Sequence, residues 1–201
     1  MKADEPEADK SPGAGRPRDP RIDAAILQAT AELLVEIGYN NLTMAAVAER
    51  AGTTKTALYR RWSSKAELVH EAAFPATPSA IETPPGDFGA DLRAMLEVTR
   101  AIFISPVVRA ALPGLIADMT ADADLAGRVA SRFGGVIVAM QERLNDAIER
   151  GEVRSGVASE RLVDFIGGAT LLAVLQAPDD LNDQAWVDSV SEILMHGIAV
   201  R

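Results

Sequence analysis

Lys55, Thr56, Tyr59, Arg60 and Arg61 carry the most chemistry per residue in this chain. Three long cations, an aromatic hydroxyl and a threonine within seven positions form a set of donors suited to phosphate oxygens and base edges. An arginine or lysine pairs with guanine O6 and N7, worth about 1–3 kcal/mol against the wrong base. Tyr59 and Lys65 suit phosphates, which fix register without reading sequence. Thr43 and Thr54 each precede a helical pattern, and Thr43 presents a hydroxyl and backbone N–H groups to phosphate. The predicted DNA-contact set is therefore Thr43, Thr54, Lys55, Thr56, Tyr59, Arg60, Arg61 and Lys65.

Two short helices must hold these groups. Thr43 reads as an N-cap, followed by Met44, Val47, Ala48 and Ala51 at helical spacing. Gly52 stands where that helix must stop and turn. Thr54 caps the second helix, whose buried side is Ala57, Leu58 and Trp62. Two short helices about a glycine turn make a helix-turn-helix, the second helix of which enters the major groove. A longer first helix, from about Arg21 to Ile37, has Ile22, Ile26, Ala29, Leu33 and Ile37 as its buried stripe. A fourth begins at Ser64, where Ser64 and Glu67 have capping-box form, and runs to about Phe74.

The chain has 201 residues and a net charge of -9, an unpromising total for a DNA binder. The charge is unevenly placed. Residues 1–74 carry 10 Lys+Arg against 11 Asp+Glu, and the remainder carries 10 against 18. From Asn40 to Lys65, the five cations Arg50, Lys55, Arg60, Arg61 and Lys65 face Glu49 alone. Local positive charge governs contact with phosphate, so this patch outweighs the total. With no cysteine, disulfides and thiolate metal sites are excluded. No apolar run approaches a membrane span, and the N-terminus has no apolar core of a signal peptide. A cytoplasmic protein without membrane contact is expected.

Residues 1–18 read as a disordered, solvated tail, with minor-groove contact by its basic end as the alternative. Residues 19–74 form the helix-turn-helix unit, and the proline-rich 75–86 a linker. Residues 87–201 read as helices throughout: 88–104, one to about Met119, a long one from Thr120 or Asp122 to Arg150, 159–176, and a last from Asn182 or Asp183 to Val200. The fold class is all-α, since no two-residue alternation persists. Residues 162–176 are apolar nearly all round, with Gly167 and Gly168 permitting close helix approach. Together with the last helix they suit a two-fold four-helix interface of Phe165, Gly168, Leu172, Trp186, Val190, Ile193 and Leu194. The aspartates of TADAD (120–124) read as helix caps, and the spacing of His70 and His196 supplies no metal site. No phosphate loop or nucleophile motif is present, so no catalytic residue, cofactor or metal is expected.

Residues 21–74 resemble the DNA-binding domain of the TetR family of bacterial transcriptional regulators. The segments AAILQATAELLVEIGYNNLTM, VAERAG and TALYRRWSSKAEL carry the resemblance. It implies that the third helix meets bases and phosphates of double-stranded DNA, that homodimers form through the last two helices, and that the second domain is a helical effector-binding and dimerisation domain. Ala45 and Ala46 stand where many relatives have polar residues, which shifts recognition further onto the third helix. The apolar residues Met95, Phe103, Met119, Phe133, Ile137, Met140 and Phe165 are candidates for lining a small-molecule pocket. The function expected is a ligand-responsive regulator, a repressor on a palindromic operator. The rivals are a helical small-molecule-binding protein or enzyme whose basic helix is incidental, and a sequence-tolerant architectural DNA binder.

Overall fold

The computed structural model describes residues 20–74, 87–132, 134–177, 179, 181 and 183–199. The expected tail and linker, and Phe133, lie outside the described residues. The order of helices is α1 (Pro20–Asn41), α2 (Met44–Arg50), α3 (Lys55–Tyr59), α4 (Lys65–Ala73), α5 (Phe88–Ile104), α6 (Pro106–Ala121), α7 (Ala123–Ser131), α8 (Gly134–Glu149), α9 (Ser159–Gln176) and α10 (Gln184–Ile198). The described residues hold no strand beyond an isolated antiparallel bridge between Val153 and Ala199.

Caps set most helix starts. The side chains of Thr43, Thr54, Ser64, Asp87, Ser105, Asp122 and Asp183 each accept a backbone N–H in the first turn of the helix they open. The box at α4 is displaced by one residue. Ser64 Oγ accepts from Glu67 N, but Glu67 Oε2 accepts from Ser63 N and Ser63 Oγ. At Gly38, φ +74 and ψ 168 break the axis of α1, and Tyr39–Asn41 form a separate last turn.

Two expectations are corrected. The buried stripe of α1 is Ile26, Ala29, Thr30, Leu33 and Leu34, whereas Ile22 and Ile37 are exposed. A stripe through Leu34 faces α4 and α6, both of which pack on α1. Thr30 sits in that stripe because its hydroxyl donates to the Ile26 carbonyl at 2.8 Å. The long helix expected from Thr120 to Arg150 is two helices, α7 and α8, interrupted after Arg132 at the start of the Gly134-Gly135 pair. Gly134 and Gly135 are the first residues of α8, and two poor helix formers in succession weaken continuation from α7 into α8.

The apolar core does not divide where the composition does. Leu58, Trp62, Leu68 and Val69 of the N-terminal part share one cluster with Val108, Ala111, Leu112 and Leu115 of α6 and Leu125 and Val129 of α7. A second cluster joins α5, α8, α9 and α10 through Phe88, Leu92, Leu96, Met140, Leu144, Ile166 and Val187. α5 and α6 meet at an angle of 82°, which lets α6 leave the second cluster and serve the first.

His70 lies on this shared surface. It is buried and stacked on Phe74 at 5.0 Å, and Phe74 meets Phe103 edge-on at 5.9 Å. Burial pushes the imidazole down to about 4, the charge of Arg132 adds to this, and Glu71 opposes it. The native state thus refuses a proton that the unfolded chain accepts at its ordinary value near 6.5. Stability is unaffected above that value and falls as pH drops from 6.5 towards 4, by roughly 3 kcal/mol from this residue. Urea unfolding at pH 7 and pH 4.5 should show a smaller acid loss for His70→Gln than for the native chain. Equal losses would remove the assignment.

Candidate nucleic-acid interface

The helix-turn-helix closes as its residues dictate. Gly52 takes φ +63 and Thr53 N–H returns to the Ala48 carbonyl at 2.9 Å, which turns the chain from α2 into α3. α3 is only five residues long, and such a helix holds its place by what it buries. Leu58 is fully buried and Trp62, just beyond the helix, nearly so. Trp62 Nε1 donates to Glu71 at 2.9 Å, which fixes the indole against α4. The opposite face is open: Lys55, Thr56, Tyr59 and Arg60 are all exposed, Tyr59 by 55%. Among the described residues no ion pair engages Lys55 or Arg60. Thr43 and Thr54 are exposed at the two helix starts, with their oxygens accepting from Ala46 N and Ala57 N. Each hydroxyl hydrogen is still available to an acceptor outside the chain.

Two members of the expected set are placed elsewhere. Arg61 turns inward. Its side chain is 7% exposed, its Nε is ion-paired to Asp23 of α1, and its guanidinium donates to the Ala57 carbonyl at 3.0 Å. It braces α3 against α1 and is withdrawn from the contact set. Lys65 is half-buried, with Nζ donating to the Tyr39 carbonyl at 3.1 Å and lying 4.1 Å from the centre of the Tyr39 ring. Arg50, counted in the basic patch, makes a two-pronged pair with Glu36 at 2.8 and 2.9 Å and a longer contact with Glu32. The Glu36 carboxyl is held below its ordinary range by that hydrogen bond. The accessible cationic face is therefore narrower than the sequence suggested, and centres on α3.

The expected pocket residues are spread over both apolar clusters and the surface. Met95 and Met140 are buried in the second cluster, Phe103 and Met119 pack against the first, Ile137 is half-buried and Phe165 is exposed. An open cleft between the start of α5 and α10 is lined by Asp87, Arg93, Asp188, Ser191, Glu192 and Met195, none of them in that set. The last two helices present Phe165, Leu172 and Ile193 at 65%, 54% and 67% exposure, with Gly168 exposed between the first two. Trp186, Val190 and Leu194 are half-buried against the second cluster. Asp122 caps α7 through Leu125 N, and no group of three or more His, Cys, Asp or Glu side chains converges as a metal site among the described residues.

Comparison with known proteins decides what kind of chain this is. Residues 26–72 match the tetR family of bacterial regulatory proteins, and residues 83–193 match the tetracyclin repressor-like C-terminal domain. The chain belongs to the TetR family. It is 32% identical over 188 residues to the HTH-type transcriptional regulator Mb1581 of Mycobacterium bovis, covering 88% of this chain and 91% of that one. It is 30% identical over 179 residues to the DNA-binding transcriptional repressor TetR of Mycobacteroides abscessus, covering 86% and 91%. The crystal structure of the TetR family transcription regulator SCO0332 superposes with a TM-score of 0.66 at 33% identity, over 90% of this chain and 100% of that one. This TetR-family protein is accordingly a transcriptional regulator with a helix-turn-helix, not an enzyme. Among its described residues no single helix is long and apolar enough to cross a membrane.

Tyr39 of α1 meets Gly114 and Asp118 of α6, a contact that no local pattern in the sequence assigns. The only local signal is Tyr39 directly after a glycine that ends a helix.

Proposed function

We propose that this TetR-family regulator is a homodimeric repressor that binds a palindromic operator and is released by a small-molecule effector. The observation that carries the DNA half is the α3 face: Lys55, Thr56, Tyr59 and Arg60 exposed together on a helix seated by Leu58 and Trp62. Lys55 and Arg60 supply base or phosphate contacts, and Tyr59, Thr43 and Thr54 hold phosphates. The exposed apolar stripe of α9 and α10 supports pairing about a two-fold axis, and two-fold pairing implies an inverted-repeat site. The relative in Mycobacteroides abscessus that is named a repressor supports the sign of regulation. The effector half rests on the family. A regulator of DNA acts in the cytoplasm.

The test selects duplexes from a random library with the full-length protein and measures their affinity by fluorescence anisotropy across salt. Arg60→Ala and Lys55→Ala are each expected to weaken the selected operator by about five-fold to 100-fold, the worth of one base contact. Where the residue holds a phosphate instead, its removal lowers the slope of log affinity against log salt by about one. Arg61→Ala should act through stability, seen as a lower melting temperature. Unchanged affinity and slope in both Lys55→Ala and Arg60→Ala would overturn the assignment of α3.

A further inference from the structure

Beside the apolar cluster that the N-terminal helices of the DNA-binding head share with α6 and α7, one side chain of the head makes directional contacts with α6. Gly38 leaves the helical path and delivers Tyr39 to the side of α1 that faces α6. The ring lies directly on Gly114 of α6, so closely that a Cβ at position 114 would stand 2.0 Å from Tyr39 Cδ1. One turn further along α6, Asp118 Oδ2 accepts the Tyr39 hydroxyl at 2.5 Å. The Lys65 ammonium takes the Tyr39 carbonyl and covers the same ring. Lys65 is the first residue of α4, and Arg61 and Trp62 alone separate the end turn of α3 from the Ser63-Ser64 start of α4. Three helices are thus referenced to one phenol.

These contacts differ from ordinary core packing in being directional. A hydroxyl donating to a carboxylate has a narrow range of good angles, and a ring seated on a glycine has no side chain between it and the backbone to absorb a shift. Small displacements of packed helices are transmitted for the same reason. We propose that Tyr39 and Asp118, with Gly114 and Lys65 as their supports, are the positioning residues that fix the angle of the head on α6, and with it the separation of the two recognition helices in the dimer. This inference rests on the reading of the chain as a dimeric operator binder. On it, movement of α6 drags the head through Asp118 and Gly114, and breaking the hydroxyl bond leaves the head held on α6 by the non-directional apolar cluster, which permits several spacings.

The test uses the full-length protein and the palindrome selected above, resynthesised with the half-sites moved apart or together by one and two base pairs. The readout is the ratio of affinities between best and altered spacing. A variant that merely loses folded protein weakens all duplexes alike and leaves that ratio unchanged. The native chain is expected to discriminate against a one-base-pair change, and Tyr39→Phe and Asp118→Asn to reduce that discrimination by about five-fold or more, the lower end of ordinary coupling between sites. Native-like ratios in both variants overturn the inference and leave the operator reading standing. Failure to enrich any palindrome removes the operator reading, and the positioning role with it.

Discussion

A chain carrying Phe165→Glu together with Ile193→Glu is expected to sediment as a monomer and to bind its operator about 1000-fold more weakly. Both side chains stand about two-thirds exposed, and Leu172 and Leu175 on α9 are more than half exposed. Large apolar residues recurring at helical spacing on an open face mark a surface that another protein covers. Gly168 lies within that stripe and lets a second helix approach closely. In a two-fold interface each introduced carboxylate is buried twice, once from each protomer, among apolar neighbours that offer no partner charge. A monomer retains one half-site, and the avidity forfeited on separating two linked binding events is of the order of 100-fold to 10000-fold. The helical signal in circular dichroism should persist, because neither position belongs to the core. A stable dimer in the double variant would show that this face is not the one that pairs.

The second large effect is expected from a single methyl group. In Gly114→Ala the new Cβ would lie 2.0, 2.3 and 2.5 Å from three carbons of the Tyr39 ring. The ring is buried and anchored at its hydroxyl, so it has no room to swing aside. Overpacking of this kind costs about 1–3 kcal/mol and occasionally more, and here the upper figure is expected. Denaturant unfolding measures it. In the background of Tyr39→Ala, which empties the site, adding Gly114→Ala should cost under about 1 kcal/mol, a non-additivity that marks direct contact. Equal costs in the two backgrounds would show that the glycine is required for another reason.

Helix α3 and its open face were legible because their determinants are local. Thr54 caps it, Leu58 seats it, and Lys55, Thr56, Tyr59 and Arg60 fall on the opposite side by the 3.6-residue period alone. The partners of the other cations were not legible. Arg61 finds Asp23 38 residues away, Lys65 finds the Tyr39 carbonyl 26 away, and Arg50 finds Glu36 14 away. Charge counting treats all five cations alike, yet three-dimensional pairing withdraws three of them. The same limit explains α1, where the true stripe depends on α6 packing against Leu34, a neighbour more than 60 residues distant. The distribution of the apolar residues of the second half was not legible either, because helical spacing records burial without recording which of two clusters receives each side chain.

The two tryptophans of the sequence occupy different halves of the molecule. Trp62 sits behind α3 with its indole held by Glu71, which Arg132 also engages at 2.7 Å. Trp186 lies half-buried near the exposed face of α10. Replacing Trp186 with phenylalanine would leave a protein whose tryptophan fluorescence originates in the N-terminal part alone, and replacing Trp62 would leave an emitter near the exposed stripe of α9 and α10. The molecule thus carries two native optical reporters, one behind the face of α3 and one near the exposed stripe of α9 and α10, which can be followed separately without any attached dye.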